Sequence, residues 1–174
     1  ADTLAVAAAT PAVRRTIVLC GQCETPSGWR VVPQRGGGLG ERLAHGFVDT
    51  AMPGVASLLI GMDTPQITPA MLASLADRLA AADAVLAPAC DGGWWALALR
   101  EPAHAAALAG VPMSTPDTAA LTLSALRGQG LRVGHGPMLR DVDTAQDARR
   151  VAARAPRTAF AAAVARHLPL AAAR

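Results

Sequence analysis

The stretch "SLLIGMDTPQITP" (Ser57–Pro69) sets the frame for the chain. Its short uninterrupted apolar run reads as a strand buried on both faces, as in a parallel sheet. The run ends in a carboxylate, Asp63, and Pro65 keeps a helix from following directly. Asp63 is thereby placed on a loop at the rim of the sheet. Open α/β sheets take their ligands at the carboxyl ends of strands, where water and a cation can reach such a group. The plainer role, a cap for the next helix, falls to Thr68, which is followed by Pro69 at the first helical position.

Similar runs surround this one. "TIVLC" (Thr16–Cys20), "WRVVP" (Trp29–Pro33) and "DAVLAPA" (Asp83–Ala89) read as buried strands. "WWALALR" (Trp94–Arg100) follows the turn signal "DGG" and reads as a hairpin or sheet reversal. Helical patterns lie between them: Leu39–Ala51, Thr68–Ala82, Thr115–Gly130 and Thr144–Ala155. Strands alternating with helices predict an α/β domain with a mainly parallel sheet. The chain reads as one domain over 1–160, then an Ala-rich helical tail over 161–174.

Composition narrows the chemistry. All 16 basic residues of the 174 are Arg. Any phosphate must therefore be met by Arg, backbone N–H groups or a metal. The net charge of +3 comes with few aromatics and no nucleic-acid motif, so no nucleic-acid partner is expected. No apolar run approaches the ~20 residues of a membrane span, and the start "ADTLAVAAATPAVRR" lacks the layout of a signal peptide. A cytoplasmic protein is expected. "CGQC" (Cys20–Cys23) has the C-x-x-C spacing, but "ETPSGW" after it reads as a loop, and only Cys90 remains as a further thiol. The pair is expected to be neither a redox dithiol nor a zinc site.

Three further stretches carry candidate chemistry. In "LRDVDTAQD" (Leu139–Asp147), Asp141 and Asp143 are two apart and point the same way on an extended segment; helix capping is the competing role. In "PACDGGWW" (Pro88–Trp95), Asp91 stands at a strand end before Gly92 and Gly93, which permit close backbone approach to a ligand; a plain turn is the alternative. "PQRGGGLGERL" (Pro33–Leu43) could cradle phosphate beside Arg35, but it is no P-loop.

Taken together and in order, "PQRGGGLGERL", "LLIGMDTPQITP", "VLAPACDGGWWALAL", "GVPMSTPDT" and "LRDVDTAQDA" resemble the bacterial family DUF2064, which is glycosyltransferase-like. The layout is also similar to the guanylyltransferase of deazaflavin-cofactor synthesis and to molybdenum-cofactor nucleotidyltransferases. The resemblance implies a three-layer α/β/α GT-A (nucleotide-diphospho-sugar transferase-like) fold with a mixed, mainly parallel sheet. It implies that Asp63, Asp141 and Asp143 hold Mg²⁺ or Mn²⁺, with Asp63 and Asp91 in catalysis. Asp91, Gly92 and Gly93 match the acceptor-side loop, with Trp94 packing on a sugar or in the core. Gln34, Arg35 and Gly40 match a loop near the donor.

Members of this kind usually begin with a strand and a basic phosphate loop. This sequence starts after them, so an N-terminally truncated domain is expected, either as a fragment or as a member without that nucleotide grip. The function implied is transfer from a nucleotide-diphosphate donor to a small-molecule acceptor, most simply of a glycosyl group. Nucleotidyl transfer from an NTP to a phosphorylated small acid is the second reading, and a catalytically inactive binding domain the third. Self-association into a homodimer is allowed.

Overall fold

The computed structural model describes residues 2–168. In chain order its elements are α1 (Asp2–Ala9), β1 (Thr16–Leu19), β2 (Arg30–Pro33), α2 (Leu39–Thr50), β3 (Ser57–Ile60), α3 (Pro69–Arg78), β4 (Ala84–Pro88) and β5 (Trp94–Leu99). A 3-10 helix (Pro102–Gly110), α4 (Thr118–Gly128), β6 (Val133–His135), α5 (Ala145–Arg154) and α6 (Ala159–His167) complete them.

The strands form two sheets. β1 and β2 pair in parallel, and the larger sheet runs β3–β5–β4–β6. β5 is antiparallel to both neighbours, while β6 is parallel to β4. β3, β4 and β6 therefore point the same way and β5 alone is reversed. The sheet is mixed and mainly parallel in direction, and "DGG" is the reversal between β4 and β5.

Alternation along the central strands feeds two cores. Val85, Ala87, Ala96 and Ala98 face α3, meeting Leu72, Leu75 and Leu79. Ala84, Leu86, Leu97 and Leu99 face the other way, against Phe47 of α2, Leu108 and Leu126. This is a three-layer α/β/α arrangement. Strands buried on both faces are why their sequences read as continuous apolar runs rather than as alternating ones.

The helix starts follow local chemistry. Thr68, Thr144 and Thr158 each accept a hydrogen bond from the backbone N–H three residues on, capping α3, α5 and α6. The helix expected from Thr115 begins instead at Thr118. The Thr115 and Thr118 hydroxyls are occupied in a turn around Pro116, with Thr118 Oγ1 bonded to the Pro112 carbonyl. Cys20 and Cys23 lie in an irregular loop and are exposed, as the loop reading requires. The tail over 161–174 is helical through His167, and its last six residues lie outside the described ones.

Candidate active site

The common direction of β3, β4 and β6 gathers their carboxyl ends at one rim. Asp63 follows β3, Asp91 follows β4, and Asp141 and Asp143 follow β6. A parallel bridge joins Ala89 to Leu139, extending the β4–β6 pairing. Cys90 N–H donates to the Leu139 carbonyl at 2.9 Å, and Leu139 N–H to the Pro88 carbonyl at 3.1 Å. Asp91 and Asp141 thus stand at matching positions, each two residues beyond the bridge.

One carboxylate oxygen from each of Asp91, Asp141 and Asp143 lies within 4.8 Å of the others. Asp91 and Asp143 are exposed and Asp141 is half-buried. The Asp141 carboxyl is held above its ordinary range, first by burial and then by the negative charges of Asp91, Asp143 and Asp63. Asp63 is exposed and lies outside the three-oxygen group, yet its charge acts on Asp141. Its loop is tied to the same segment: Val142 N–H donates to the Asp63 carbonyl at 3.1 Å, and the Gln66 amide donates to the Arg140 carbonyl.

The resemblance implies Asp63, Asp141 and Asp143 as a ligand set. The structure instead groups Asp91, expected on the acceptor side, with Asp141 and Asp143, and leaves Asp63 outside the group. The entry of Asp91 depends on β4 lying beside β6, and β6 is only "VGH", too short and too glycine-rich to read as a strand.

The turn after Asp91 is tightly built. Asp91 Oδ1 accepts from the Gly93 N–H at 2.8 Å. Gly92 has φ +94°, and a β-carbon there would overlap the Pro116 backbone. Its carbonyl also accepts from Ala119 N–H at 2.8 Å. The "STPDT" segment is thereby packed onto the Asp91 turn. Trp94 is half-buried, packs against the second core, and donates its indole N–H to Thr122 Oγ1 at 3.2 Å. The core role of Trp94 is the one its contacts show.

The donor-side candidates are occupied by structural contacts. Arg35 forms a two-pronged ion pair with Asp49 at 2.7 and 2.8 Å. Gln34 bonds through its side-chain amide to the Val18 carbonyl at 3.4 Å. Gly40 is buried in α2, where a β-carbon would overlap the Leu108 carbonyl. None of the hydrogen bonds of these three residues reaches the acidic group. The glycines of "RGGGLG" serve the entry to α2: Gly37 N–H is bound by the Glu41 carboxylate at 2.7 Å.

The fold and this acidic rim define the class: the nucleotide-diphospho-sugar transferase fold. A crystal structure described as that of a "putative nucleotide-diphospho-sugar transferase" from Desulfovibrio desulfuricans G20 superposes with a TM-score of 0.79 at 24% identity, covering 95% of this chain and 78% of that one. The chain belongs to DUF2064, a family described as an uncharacterized protein conserved in bacteria, whose model matches residues 2–115. No curated protein matches the sequence. No helix among the described residues is long and apolar enough to cross a membrane.

Proposed function

We propose that this protein is a divalent-metal-dependent transferase that uses a nucleotide-diphosphate donor, and that the transferred group is a glycosyl unit. The observation that carries the reading is the convergence of Asp91, Asp141 and Asp143 at the carboxyl rim of a GT-A-type sheet.

The donor set suits Mg²⁺ or Mn²⁺. Both prefer oxygen ligands, and an octahedral shell at ~2.1 Å puts its oxygens about 3 Å apart when adjacent and about 4.2 Å apart when opposite. Oxygens already within 4.8 Å need only small rotations of exposed side chains to meet that shell. The elevation of Asp141 fits as well, since like charges crowded without a counter-charge resist ionisation. A cation held by these three residues supplies charge stabilisation to the leaving diphosphate.

The chain's own residues do the rest. Gly92 and Gly93 hold Asp91 at the rim through a turn that fits no side chain at position 92. Val142 N–H and the Gln66 amide hold the Asp63 loop against the 140–143 segment. Asp63, outside the three-oxygen group, is the carboxylate available to an acceptor hydroxyl. The acceptor oxygen forms the new bond to the anomeric carbon, the bond to the diphosphate oxygen breaks, and Asp63 takes the acceptor's proton.

The test is product analysis with purified protein and Mn²⁺, offering nucleotide sugars in one arm and NTPs with phosphorylated small acids in the other. Release of a nucleoside diphosphate supports glycosyl transfer. Release of pyrophosphate moves the chemistry to nucleotidyl transfer, and metal-dependent binding without turnover marks an inactive binding domain.

A further inference from the structure

We propose that the groove between α3 and β6 docks an extended, acidic segment of a partner protein, which adds as a strand to the free edge of β6. Among the described residues, β6 is the terminal strand of the larger sheet and pairs only with β4. The Arg132 carbonyl accepts from Asp83 and Ala84, and Gly136 N–H donates to the Leu86 carbonyl at 2.8 Å. Residues 132, 134 and 136 therefore turn their backbone groups towards β4, and Val133 and His135 turn theirs outward. An unpaired edge of this kind is what a strand-adding peptide uses.

Two cavities lie along this edge, of about 300 Å³ and about 410 Å³. Both are lined by Arg78 of α3, so they form one groove. Met71, Ser74 and Pro137 line its second half, and Gly134 lies in its first. Gly134 and Gly136 turn to the α3 side of the strand. A β-carbon at Gly134 would sit in ordinary contact with Ala82 at 3.5 Å and Val85 at 3.6 Å. A longer side chain there would project into the space, so the glycine keeps the groove open.

Charge selects the occupant. Arg78, Arg132 and His135 border the cavities, and among the described residues no carboxylate lines either one. Arg132 is already held by Asp83 at 3.1 Å, whereas Arg78 has no ion-pair partner among the described residues. A second copy of this chain, pairing β6 with β6, would bring Arg78 and His135 against their own counterparts. An extended segment with an Asp or Glu on its α3-facing side meets both the backbone edge and Arg78.

The test is selection of peptides from a random display library on the whole protein, followed by affinity measurement with the selected peptides. Enriched sequences should carry an acidic residue within an extended apolar or neutral stretch. They should bind roughly tenfold or more weakly to Arg78→Glu, lose binding to Gly134→Leu, and shift the amide resonances of Val133 and His135. Arg78 is an exposed helical position, so its variant remains informative if Gly134→Leu does not fold. Failure to enrich acidic sequences, or equal affinity for Arg78→Glu, overturns the proposal. So does a dimer in sedimentation that Gly134→Leu dissociates, which would make the occupant a second copy. Saturation of the groove by inorganic phosphate alone, with no peptide bound, would make it a small-anion site and overturn it too.

Discussion

Replacing Asp141 by Asn should make the metal-free protein more stable while removing its response to divalent cations. The carboxylate oxygens of Asp91, Asp141 and Asp143 lie within 4.8 Å of one another. At that separation each like-charge pair costs about 0.9 kcal/mol in a water-like medium and about 3.5 kcal/mol at an effective dielectric of 20. Asp91 and Asp143 are exposed, so the lower end governs. The Asp141→Asn change removes two such pairs and keeps the shape of the side chain, giving a gain of about 1–2 kcal/mol. For a chain of this length that corresponds to a rise in Tm of roughly 3–6 °C in EDTA. Cation binding to the wild type works in the opposite sense on the comparison: Mn²⁺ at about a hundred times its Kd adds ~2.7 kcal/mol. Wild type should therefore gain in Tm on adding Mn²⁺ and Asp141→Asn should gain little. Thermal unfolding of both proteins in EDTA and in Mn²⁺ decides the matter. A variant less stable than wild type in EDTA, or equally stabilised by Mn²⁺, would refute the reasoning.

Two other perturbations follow from the same geometry. Gly92→Ala should cost at least about 2 kcal/mol, or roughly 4–8 °C in Tm, because an L-residue at φ +94° is strained and its β-carbon meets the Pro116 backbone; an unchanged Tm would show that the turn can open without penalty. Asp83 is drawn down to about 2, first by its hydrogen bonds from Arg132. A depressed carboxyl contributes stability that is full above its unfolded value of ~3.9 and lost as pH falls towards 2. Denaturation midpoints of wild type and Asp83→Asn should differ at pH 5 and converge only as pH falls below 2, through the folded value, and a difference undiminished below pH 2 would assign the contribution to packing.

Much of this architecture is legible in the sequence, and the reasons differ by element. β4 and β5 are readable because strands buried on both faces must be apolar throughout; β3 keeps an apolar run although it is only half-buried along its length. α3 and α5 are readable because a threonine hydroxyl at the cap leaves a local signal, whereas α6 shows in the sequence only as an alanine-rich tail. β6 is hidden, since it is three residues long with Gly134 inside it and Gly136 just beyond it, where a β-carbon would overlap Leu75 and Ala87, and glycines carry no strand signature. The 3-10 helix over Pro102–Gly110 is hidden in an alanine-rich run without periodicity. At the site, Asp63 and Asp91 stand out as carboxylates at strand ends, and Asp141 and Asp143 by their spacing of two on an extended segment. The convergence of Asp91 with Asp141 and Asp143 is a tertiary fact set by the β4–β6 register. Arg35 shows the converse: a basic residue beside glycines suggests phosphate, but Asp49, one helix away in sequence, takes the guanidinium.

Everything proposed for the site turns on a cation held by the acidic rim, through which a nucleotide diphosphate is bound. Calorimetric titration of the whole protein with a panel of nucleoside diphosphates, in Mn²⁺ and in EDTA, tests this most directly. The expected result is binding of at least one of them in Mn²⁺, none in EDTA, and loss of the Mn²⁺-dependent signal in both Asp141→Asn and Asp143→Asn. Equal affinity in EDTA, or undiminished binding by both variants, would contradict it.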